Sequence, residues 1–367
     1  MARLLDTESL RNILYGSTFL GAGGGGSPEV GAYLIDRIER ETEGAKITLL
    51  DATEMKDHGY AVMVAGIGAP RVIKERGFGV EAVYAFDAVR NLHFLTSKDI
   101  CYLMAGELGG FNTLVPFYVA AKRGLPVIDA DGNGRAVPEL FTTLYNCYRI
   151  PVSPLALANS NADVSVFFLH NPIDHRSAES FARAITTTWG MSAAFATWAV
   201  SREQIISYLV PGSISLCERI GSVFREKGFS TVGALSAELG KFGVKELFVG
   251  RIAALKTVSK ESFDVGLTIL EGLSDYTGTS MEIYFKNENI LARLDGRVVA
   301  MVPDIITLVD VELLQPLTNA DIKEGQEVVV YGLPSHNKWK ETSYGLECWT
   351  HILNAVGYSG GYVPLTS

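Results

Sequence analysis

Hydrophobic residues in the first half of the chain alternate between helix-like and strand-like spacing. A capping residue precedes the first of two amphipathic helical patterns, and short apolar runs that end in glycine-rich polar loops separate the later helices. Strands that alternate with helices are typical of a mainly parallel sheet covered on both faces, so the pattern predicts a three-layer α/β domain. The predicted helices are 7–20, 29–42, 79–95 and 116–123, and the predicted strands are 46–50, 60–65, 100–104, 125–128 and 164–169.

The pattern changes twice further along the chain. Residues 175–239 are rich in Ala, Ser and Thr and predict helices, whereas apolar runs separated by turns predict strands from residue 246 onward. We therefore predict an α/β domain at 1–245, with its core in 1–172, and a β-rich, barrel-like domain at 246–367. A domain boundary near residue 172 is the alternative. The predicted strands of the second domain are 247–258, 263–271, 280–286, 290–294 and 298–301.

Composition narrows the class of protein. A length of 367 residues suits two domains, each large enough to bury its own core. The net charge of -9, with no basic cluster to offset it, argues against a nucleic-acid partner. The four cysteines form no CxxC pair, the N-terminal residues lack an apolar signal stretch, and no apolar run approaches the length of a membrane span. We expect a cytoplasmic protein with no membrane partner.

The most informative segment is 129–139, Asp-Ala-Asp-Gly-Asn-Gly-Arg-Ala-Val-Pro-Glu, which follows the apolar strand at 125–128. Open α/β sheets bind ligands at the carboxyl ends of their strands. Asp129 and Asp131 are expected on one side of the strand and are candidate catalytic carboxylates. Arg135 offers a planar fork of donors for a carboxylate, an amide carbonyl or a phosphate, and is the candidate substrate anchor. The alternative is a tight turn in which an ion pair holds Arg135.

A glycine run at 21–26 is a second candidate site. Gly24, Gly25 and Gly26 follow a helix, whereas a dinucleotide fingerprint follows a strand, and no P-loop ending is present. The run predicts backbone contact with a planar or anionic ligand. A tight turn between two helices is the alternative.

Three further polar positions complete the candidate site. Glu107 and Asn112 share a glycine-rich loop and are suited to orienting an amide-like substrate, although Asn112 could instead cap a helix. Glu139 is predicted in the first turn of a helix, as a substrate ligand or as a cap. Asp304 is predicted to reach the site from the second domain, whereas a hairpin turn accounts for residues 287–289.

The sequence gives weaker indications of a metal site or of a nucleophilic side chain than of the carboxylate site. The six histidines show no HxH or HExxH spacing, so no zinc site is predicted. A divalent cation on Asp129, Asp131 and Glu107 is left open, although the sequence requires no cofactor. No Gly-x-Ser-x-Gly elbow is present, and Cys147 is the one thiol considered as a nucleophile.

Taken together, several of these stretches resemble the hallmark stretches of the S-methyl thiohydantoin desulfurase family. The resemblance implies an N-terminal α/β domain followed by a domain built on a β-barrel. It also implies hydrolytic removal of a methylthio group from a five-membered thiohydantoin ring, which gives the hydantoin. Residues 348–351, Cys-Trp-Thr-His, depart from the Gly-Pro-containing segment usual in the family. The resembling stretches are 21–28, 68–70, 107–112, 125–139, 285–289 and 302–305.

The residues and the resemblance together predict a hydrolase of a small cyclic amide. Asp129 or Asp131 would activate water, Glu107 would protonate a ring nitrogen, and Arg135 would stabilise a ring oxygen or a substrate carboxylate. One alternative is a non-catalytic ligand-binding or accessory subunit of a hydantoinase/oxoprolinase-type enzyme. Another is a transferase that holds an anionic donor in its glycine loop. A homo-oligomer or a hydantoinase-type partner is left open.

Overall fold

A computed structural model describes residues 2–42, 46–225, 229, 231–260 and 263–365. Within these ranges the chain forms two sheets, and most of the helices pack on the first. The strands of the first sheet are β1 (Arg3–Leu5), β2 (Ile47–Leu50), β3 (Gly59–Gly68), β4 (Asp99–Ala105), β5 (Val127–Asp131), β6 (Leu155–Ala158), β7 (Val164–Phe167), β8 (Ser192–Ser201) and β9 (Val210–Pro211). Its helices are α1 (Thr7–Leu20), α2 (Pro28–Glu41), α3 (Pro70–Arg76), α4 (Val80–Arg90), α5 (His93–Thr96), α6 (Val115–Arg123), α7 (Leu144–Cys147), α8 (His175–Thr188), α9 (Arg202–Tyr208), α10 (Ser213–Arg225) and α11 (Val232–Gly240).

The first sheet is mixed, in the order β1-β2-β5-β4-β3-β8-β6-β7, with β9 beside the end of β5. Strands β2, β5, β4 and β3 are parallel, whereas β1, β6, β7, β8 and β9 pair antiparallel with their neighbours. The prediction of a mainly parallel sheet is therefore wrong. The parallel group still brings the carboxyl ends of β3, β4 and β5 to one edge, where ligands bind in such sheets.

Strand β8 is the main cause of this difference. Residues 192–201 fall in the stretch predicted as helical, yet they form a long strand paired with β3. Alanine is the strongest helix former, so the Ala-rich sequence favoured the wrong element. Small side chains suit this strand because β8 lies inside the sheet, between β3 and β6. Tertiary packing here overrides local propensity.

Alternate residues of the sheet face two separate cores. On one face, Val62, Val64 and Val127 pack with helices α1, α2, α4, α6 and α10. On the other face, Met63 and Ile128 pack with α8 and with side chains near the C-terminus. Successive side chains of a strand point to opposite faces, so neighbouring residues of β5 serve different cores.

The second sheet is antiparallel, in the order β14-β13-β12-β11-β10-β17-β15-β16. Within the described ranges, its end strands β14 and β16 are not paired with each other, so the sheet is open and the barrel is not confirmed. The predicted strands of this part agree closely with the observed ones. The strands are β10 (Lys245–Lys260), β11 (Phe263–Gly272), β12 (Ser280–Lys286), β13 (Glu288–Leu294), β14 (Arg297–Met301), β15 (Ile305–Asp310), β16 (Pro316–Leu317) and β17 (Glu327–Leu333), followed by helices α12 (Tyr344–Glu347) and α13 (Thr350–Ala355).

Candidate active site

A cavity of about 480 Å³ lies beyond the carboxyl ends of β3 and β4. Its walls come from the loop after α1, the loops after β4 and β5, strand β8, helix α8 and the second sheet. This volume is within the usual range for small-molecule sites. The lining residues used below are Gly24, Gly25, Gly26, Met63, Ile67, Glu107, Phe111, Asn112, Glu139, Leu140, Phe195, Trp198, Phe285 and Glu288.

Two hydrogen-bond donors fix the orientation of the Glu107 carboxylate. The Asn112 side-chain amide donates to Oε1 at 2.7 Å, and the Val137 backbone N–H donates to Oε2 at 2.9 Å. The Asn112 carbonyl oxygen in turn accepts from the Gly66 N–H at 3.1 Å, which ties the end of β3 to the loop after β4. Asn112 therefore orients Glu107. It does not cap α6, since its side chain makes these contacts instead.

Glu288 is a second carboxyl in the cavity, at the first residue of β13. Its residue surface is only 3% exposed, and its Oε2 has no hydrogen-bond partner. An unpartnered buried polar atom is costly unless it serves a ligand or carries a proton. Glu288 belongs to the segment that the sequence assigned to a hairpin turn. The turn is present at Asn287, which has a positive φ of 55°, but Glu288 has already entered the strand and faces the cavity.

The two carboxyls influence each other's protonation. Burial raises the pKa of Glu107, and hydrogen bonds from Val137 and Asn112 act in the opposite direction. Burial also raises the pKa of Glu288, and the negative charge of Glu107 raises it further. Arg135 lies close enough for its positive charge to lower both pKa values. Pairs of titratable groups in such environments supply an acid and a base near neutral pH.

The glycine loop allows the close approach of these groups. A Cβ atom on Gly24 would lie 2.1 Å from Oε1 of Glu288, so no other residue fits there unchanged. Gly25 has a positive φ of 72°, and its carbonyl accepts from the Asn112 N–H at 3.1 Å. The loop therefore joins the carboxyl pair and the loop after β4 into one wall. Gly26 also lines the cavity.

Glu139 lies at another part of the cavity wall, outside any helix, so its predicted position in a helical first turn is wrong. Its carboxylate contacts Lys286 of the second sheet, and His351 Nε2 lies 2.8 Å from its Oε2. Burial alone would raise the pKa of Glu139, but the hydrogen bonds from His351 and Lys286 lower it to about 2. Glu139 is therefore a stable anion that connects the loop after β5 to the C-terminal part of the chain.

Apolar side chains complete the cavity. The carboxyl pair and the glycine loop form one polar patch of the wall, and Glu139, Glu179 and Arg183 form another. A mostly apolar wall with a few polar groups is common in sites for small organic ligands. The apolar walls include Met63, Ile67, Phe111, Leu140, Phe195 and Phe285.

Asp129 and Asp131 do not line this cavity. They lie on one side of β5, as expected, but that side faces α10. The Asp129 carboxylate accepts from the Ser215 N–H at 2.9 Å and from the Ser215 hydroxyl. The fully buried Asp131 accepts from the N–H groups of Asn133 and Gly134 at 2.7 and 2.8 Å, and burial raises its pKa to about 7. Both carboxylates hold local structure and neither lines the cavity, so their predicted action on substrate stays a prediction.

Arg135 and Asp304 are likewise outside the cavity lining. The Arg135 side chain is 1% exposed, and its guanidinium donates to the backbone carbonyls of Ala136, Asn289, Pro303 and Asp304 at 2.8 to 3.1 Å. The Asp304 carboxylate accepts from the Ser335 N–H and from the Tyr362 hydroxyl, among others. Arg135 therefore connects the two sheets, and neither side chain is free to anchor a substrate.

Metal and thiol candidates also change with the tertiary structure. In the described ranges, no three His, Cys, Asp or Glu side chains converge so as to hold a metal ion, and this includes the trio of Asp129, Asp131 and Glu107. Cys147 lines a different cavity and does not reach the carboxyl pair. No helix of the described chain combines the length and apolar character that crossing a bilayer requires.

The sequence missed Glu288, Lys286 and His351. A signal for Glu288 was present, because it belongs to the polar segment 286–289 between two apolar runs, which is also part of a stretch that resembles the family. Lys286 belongs to the same polar segment, but no local signal showed that it or His351 would contact Glu139. Lys286 and His351 are distant from Glu139 in sequence and meet it only in the folded chain.

The fold defines a two-domain protein, α/β followed by β-rich, in which a buried carboxyl pair lies in a cavity of about 480 Å³. Two family domains match the chain: the S-Me-THD-like N-terminal domain over residues 8–168 and the S-Me-THD-like C-terminal domain over residues 173–365. The chain therefore belongs to the S-methyl thiohydantoin desulfurase-like family, which confirms the resemblance seen in the sequence.

Solved structures include a similar protein from Chromobacterium violaceum. Its crystal structure has 26% sequence identity to this chain, with a TM-score of 0.86. The similarity covers 99% of this chain and 100% of that one, and the description of that protein gives no activity. No curated protein matches this chain.

Proposed function

We propose that this protein hydrolyses an S-methyl thiohydantoin-like ring, releasing methanethiol and forming the hydantoin. The observation that carries the proposal is the pair of cavity carboxyls, Glu107 and Glu288, whose pKa values are both raised. Family membership supports the class of substrate. The cavity of about 480 Å³ has room for a five-membered ring and a sizeable substituent.

Hydrogen bonding assigns the two carboxyls different roles. Both oxygens of Glu107 accept hydrogen bonds from neutral donors, which favours the ionised form and suits a general base. Glu288 has one oxygen without a partner. Burial and the charge on Glu107 raise its pKa more than the Arg135 charge and backbone hydrogen bonds lower it, so Glu288 holds a proton and suits a general acid.

The proposed reaction balances with these two groups. Glu107 takes a proton from water while the water oxygen attacks the ring carbon that bears the methylthio group, and Glu288 donates its proton to the adjacent ring nitrogen. The carbon–sulfur bond of the tetrahedral intermediate then breaks. The new hydroxyl returns a proton to Glu288 as it becomes the carbonyl, and Glu107 donates its proton to the departing sulfur. One water is consumed, and both carboxyls regain their starting states.

The apolar walls assist this chemistry by excluding bulk water. Trp198 and Phe195 line the cavity from β8, and Phe285 lines it from the second sheet. In such surroundings a proton transfer or a developing charge is influenced more strongly by fixed groups than it would be in water. The ring is expected to lie with its reacting edge toward Glu107 and Glu288 and its substituent along the apolar wall.

The test is turnover of 5-substituted S-methyl thiohydantoins, with the hydantoin product measured by chromatography. Glu107→Gln and Glu288→Gln should each lower kcat/KM by about 10²- to 10⁴-fold, the usual contribution of general acid or base catalysis. Glu75→Gln, at an exposed ion pair on α3, is the matched control and should retain activity. Asp129→Asn separates the sequence-based assignment from the structure-based one, because its carboxylate faces α10.

The pH profile gives a second readout. Activity needs Glu107 ionised and Glu288 protonated, so kcat/KM should fall on both sides of an optimum near neutral pH. No hydantoin from any substrate, or full activity in both glutamine variants, would contradict the proposal. Loss of activity in Asp129→Asn alone would instead assign the chemistry to Asp129 on β5.

A further inference from the structure

Two buried thiols face each other away from the candidate active site. Cys147 ends α7, Cys348 follows α12, and their sulfur atoms are 3.8 Å apart. The folded chain brings them together although about 200 residues separate them. Both are free thiols. They lie on the side of the first sheet where the C-terminal segment packs.

A second cavity, of about 490 Å³, gives access to this pair. It is lined by Cys147 together with Phe141, Arg149, Arg176 and Tyr344, among others. Cys147 is 9% exposed, whereas Cys348 is 1% exposed. A small oxidant in this cavity therefore reaches Cys147 and does not reach Cys348 directly.

We propose that Cys147 and Cys348 form an intramolecular disulfide when the protein meets a hydroperoxide, with Cys147 as the thiol that the oxidant attacks. A disulfide bond is about 2.05 Å long, so the sulfur atoms must approach by less than about 2 Å. Cys147 belongs to a helix of one turn, and Cys348 lies at the junction of two short helices, so both positions can adjust locally.

The chemistry proceeds in two balanced steps. The Cys147 sulfur attacks one peroxide oxygen, the O–O bond breaks, and Cys147 becomes a sulfenic acid while its thiol proton leaves with the other oxygen, as water from hydrogen peroxide or as the alcohol from an organic hydroperoxide. The Cys348 sulfur then attacks the Cys147 sulfur, the S–O bond breaks, and a water leaves with the Cys348 proton. The two thiols lose two electrons in total, and the peroxide gains them.

The two positions suit different roles in this sequence. Burial raises the pKa of Cys348 well above its ordinary value, so Cys348 remains a thiol until a reactive neighbour is formed. Cys147 is largely buried, but it borders the second cavity and lies beside a second cysteine, and a reachable cysteine with a neighbouring cysteine is the usual arrangement for reversible oxidation. The other two cysteines differ: Cys101 lies on β4, and Cys217 is fully buried in α10.

The bond would connect the segment after β5 to the C-terminal helices. α7 follows the loop that carries Glu139, and α13 carries His351, which already contacts Glu139. A cross-link between residues so far apart in sequence restricts the unfolded chain strongly. Oxidised protein should therefore unfold at a higher denaturant concentration than reduced protein.

The experiment exposes the folded, reduced protein to hydrogen peroxide, alkylates remaining thiols and maps peptides by mass spectrometry. We expect half of the four thiols to be lost, with a peptide containing Cys147 joined to one containing Cys348, and the link to be removed by dithiothreitol. Cys101→Ser should form the same link. In Cys348→Ser the reaction should stop at a Cys147 sulfenic acid, which dimedone traps.

Peptide mapping of the wild-type protein tests for the Cys147–Cys348 disulfide even if a variant fails to fold. The proposal is overturned if both Cys147 and Cys348 remain alkylatable after peroxide while circular dichroism shows folded protein. It is also overturned if Cys147 pairs with Cys101, or if Cys147 is oxidised beyond sulfenic acid while Cys348 stays free. Trapping of a sulfenic acid on Cys348 in Cys147→Ser would reverse the assigned roles and refute the proposal as stated.

Discussion

Arg135→Met tests whether the most polar segment of the sequence is structural. The guanidinium is buried, and beyond its bond to Ala136 it donates to the backbone carbonyls of Asn289, Pro303 and Asp304. Methionine replaces much of the side-chain volume and removes every donor. One carbonyl on β13 and two in the turn between β14 and β15 would then lose the charged partner that connects them to the first domain.

The expected loss follows from these bonds. A hydrogen bond that involves a charged group contributes about 1.5 to 3 kcal/mol. Such contributions do not add fully, and removing one partner from a buried charged network typically costs about 3 to 5 kcal/mol. We expect the free energy of unfolding of Arg135→Met to fall by about 3 to 5 kcal/mol. The pKa values of Glu107 and Glu288 should also rise, because both lose a nearby positive charge.

Urea denaturation followed by circular dichroism measures the loss. Arg123→Met is the control, since Arg123 makes a partly exposed ion pair with Asp87, and such pairs contribute about 0 to 1 kcal/mol. The reasoning is refuted if Arg135→Met is as stable as the control. A raised KM with unchanged stability would instead restore Arg135 as a substrate anchor.

Three further predictions concern the cavity walls. The folded-state pKa of Glu288 is raised, so its contribution to stability is lost as pH rises; Glu288→Gln should melt above the wild type at about pH 9 and lose that advantage in acid. An equal melting temperature at both pH values would count against it. The pH dependence of the Glu139 contribution is opposite, because its folded-state pKa is lowered to about 2 and it stabilises the protein above its ordinary pKa. Glu139→Gln should therefore melt at a lower temperature than the wild type at neutral pH, and the difference should shrink toward about pH 2. A pH-independent difference would contradict this. Gly24→Ala should remove turnover because the new methyl would overlap Glu288, whereas Gly233→Ala, with nothing within 4 Å, should keep it; equal activity in the two would exclude the close approach.

The elements that the sequence predicted best are those whose local pattern and final environment agree. The helix predicted at 7–20 is α1, and the strands predicted from residue 247 onward correspond to β10 to β14. Strand β8 was missed because its alanines favour a helix locally, while its position between β3 and β6 requires small residues in a strand. The hydrophobic pattern within one segment does not predict which other strands will pair with that segment in the folded chain.

The sequence by itself determined the family, the order of most elements and the loops that form the cavity. Glu107, Asn112, Glu139 and the glycine run were found because polar or glycine-rich loops follow regular elements in a recognisable order. Their roles in catalysis remain predictions.

The tertiary structure alone decided which side chains meet. Asp129 and Asp131 lie on one side of their strand, as the two-residue period requires, but the packing of α10 determined that this side is away from the cavity. Glu288 joins Glu107 through the packing of the second sheet on the first. The physical reason is that local backbone preferences depend on neighbouring residues, whereas burial, charge interactions and unpaired polar atoms depend on residues brought together from distant parts of the chain.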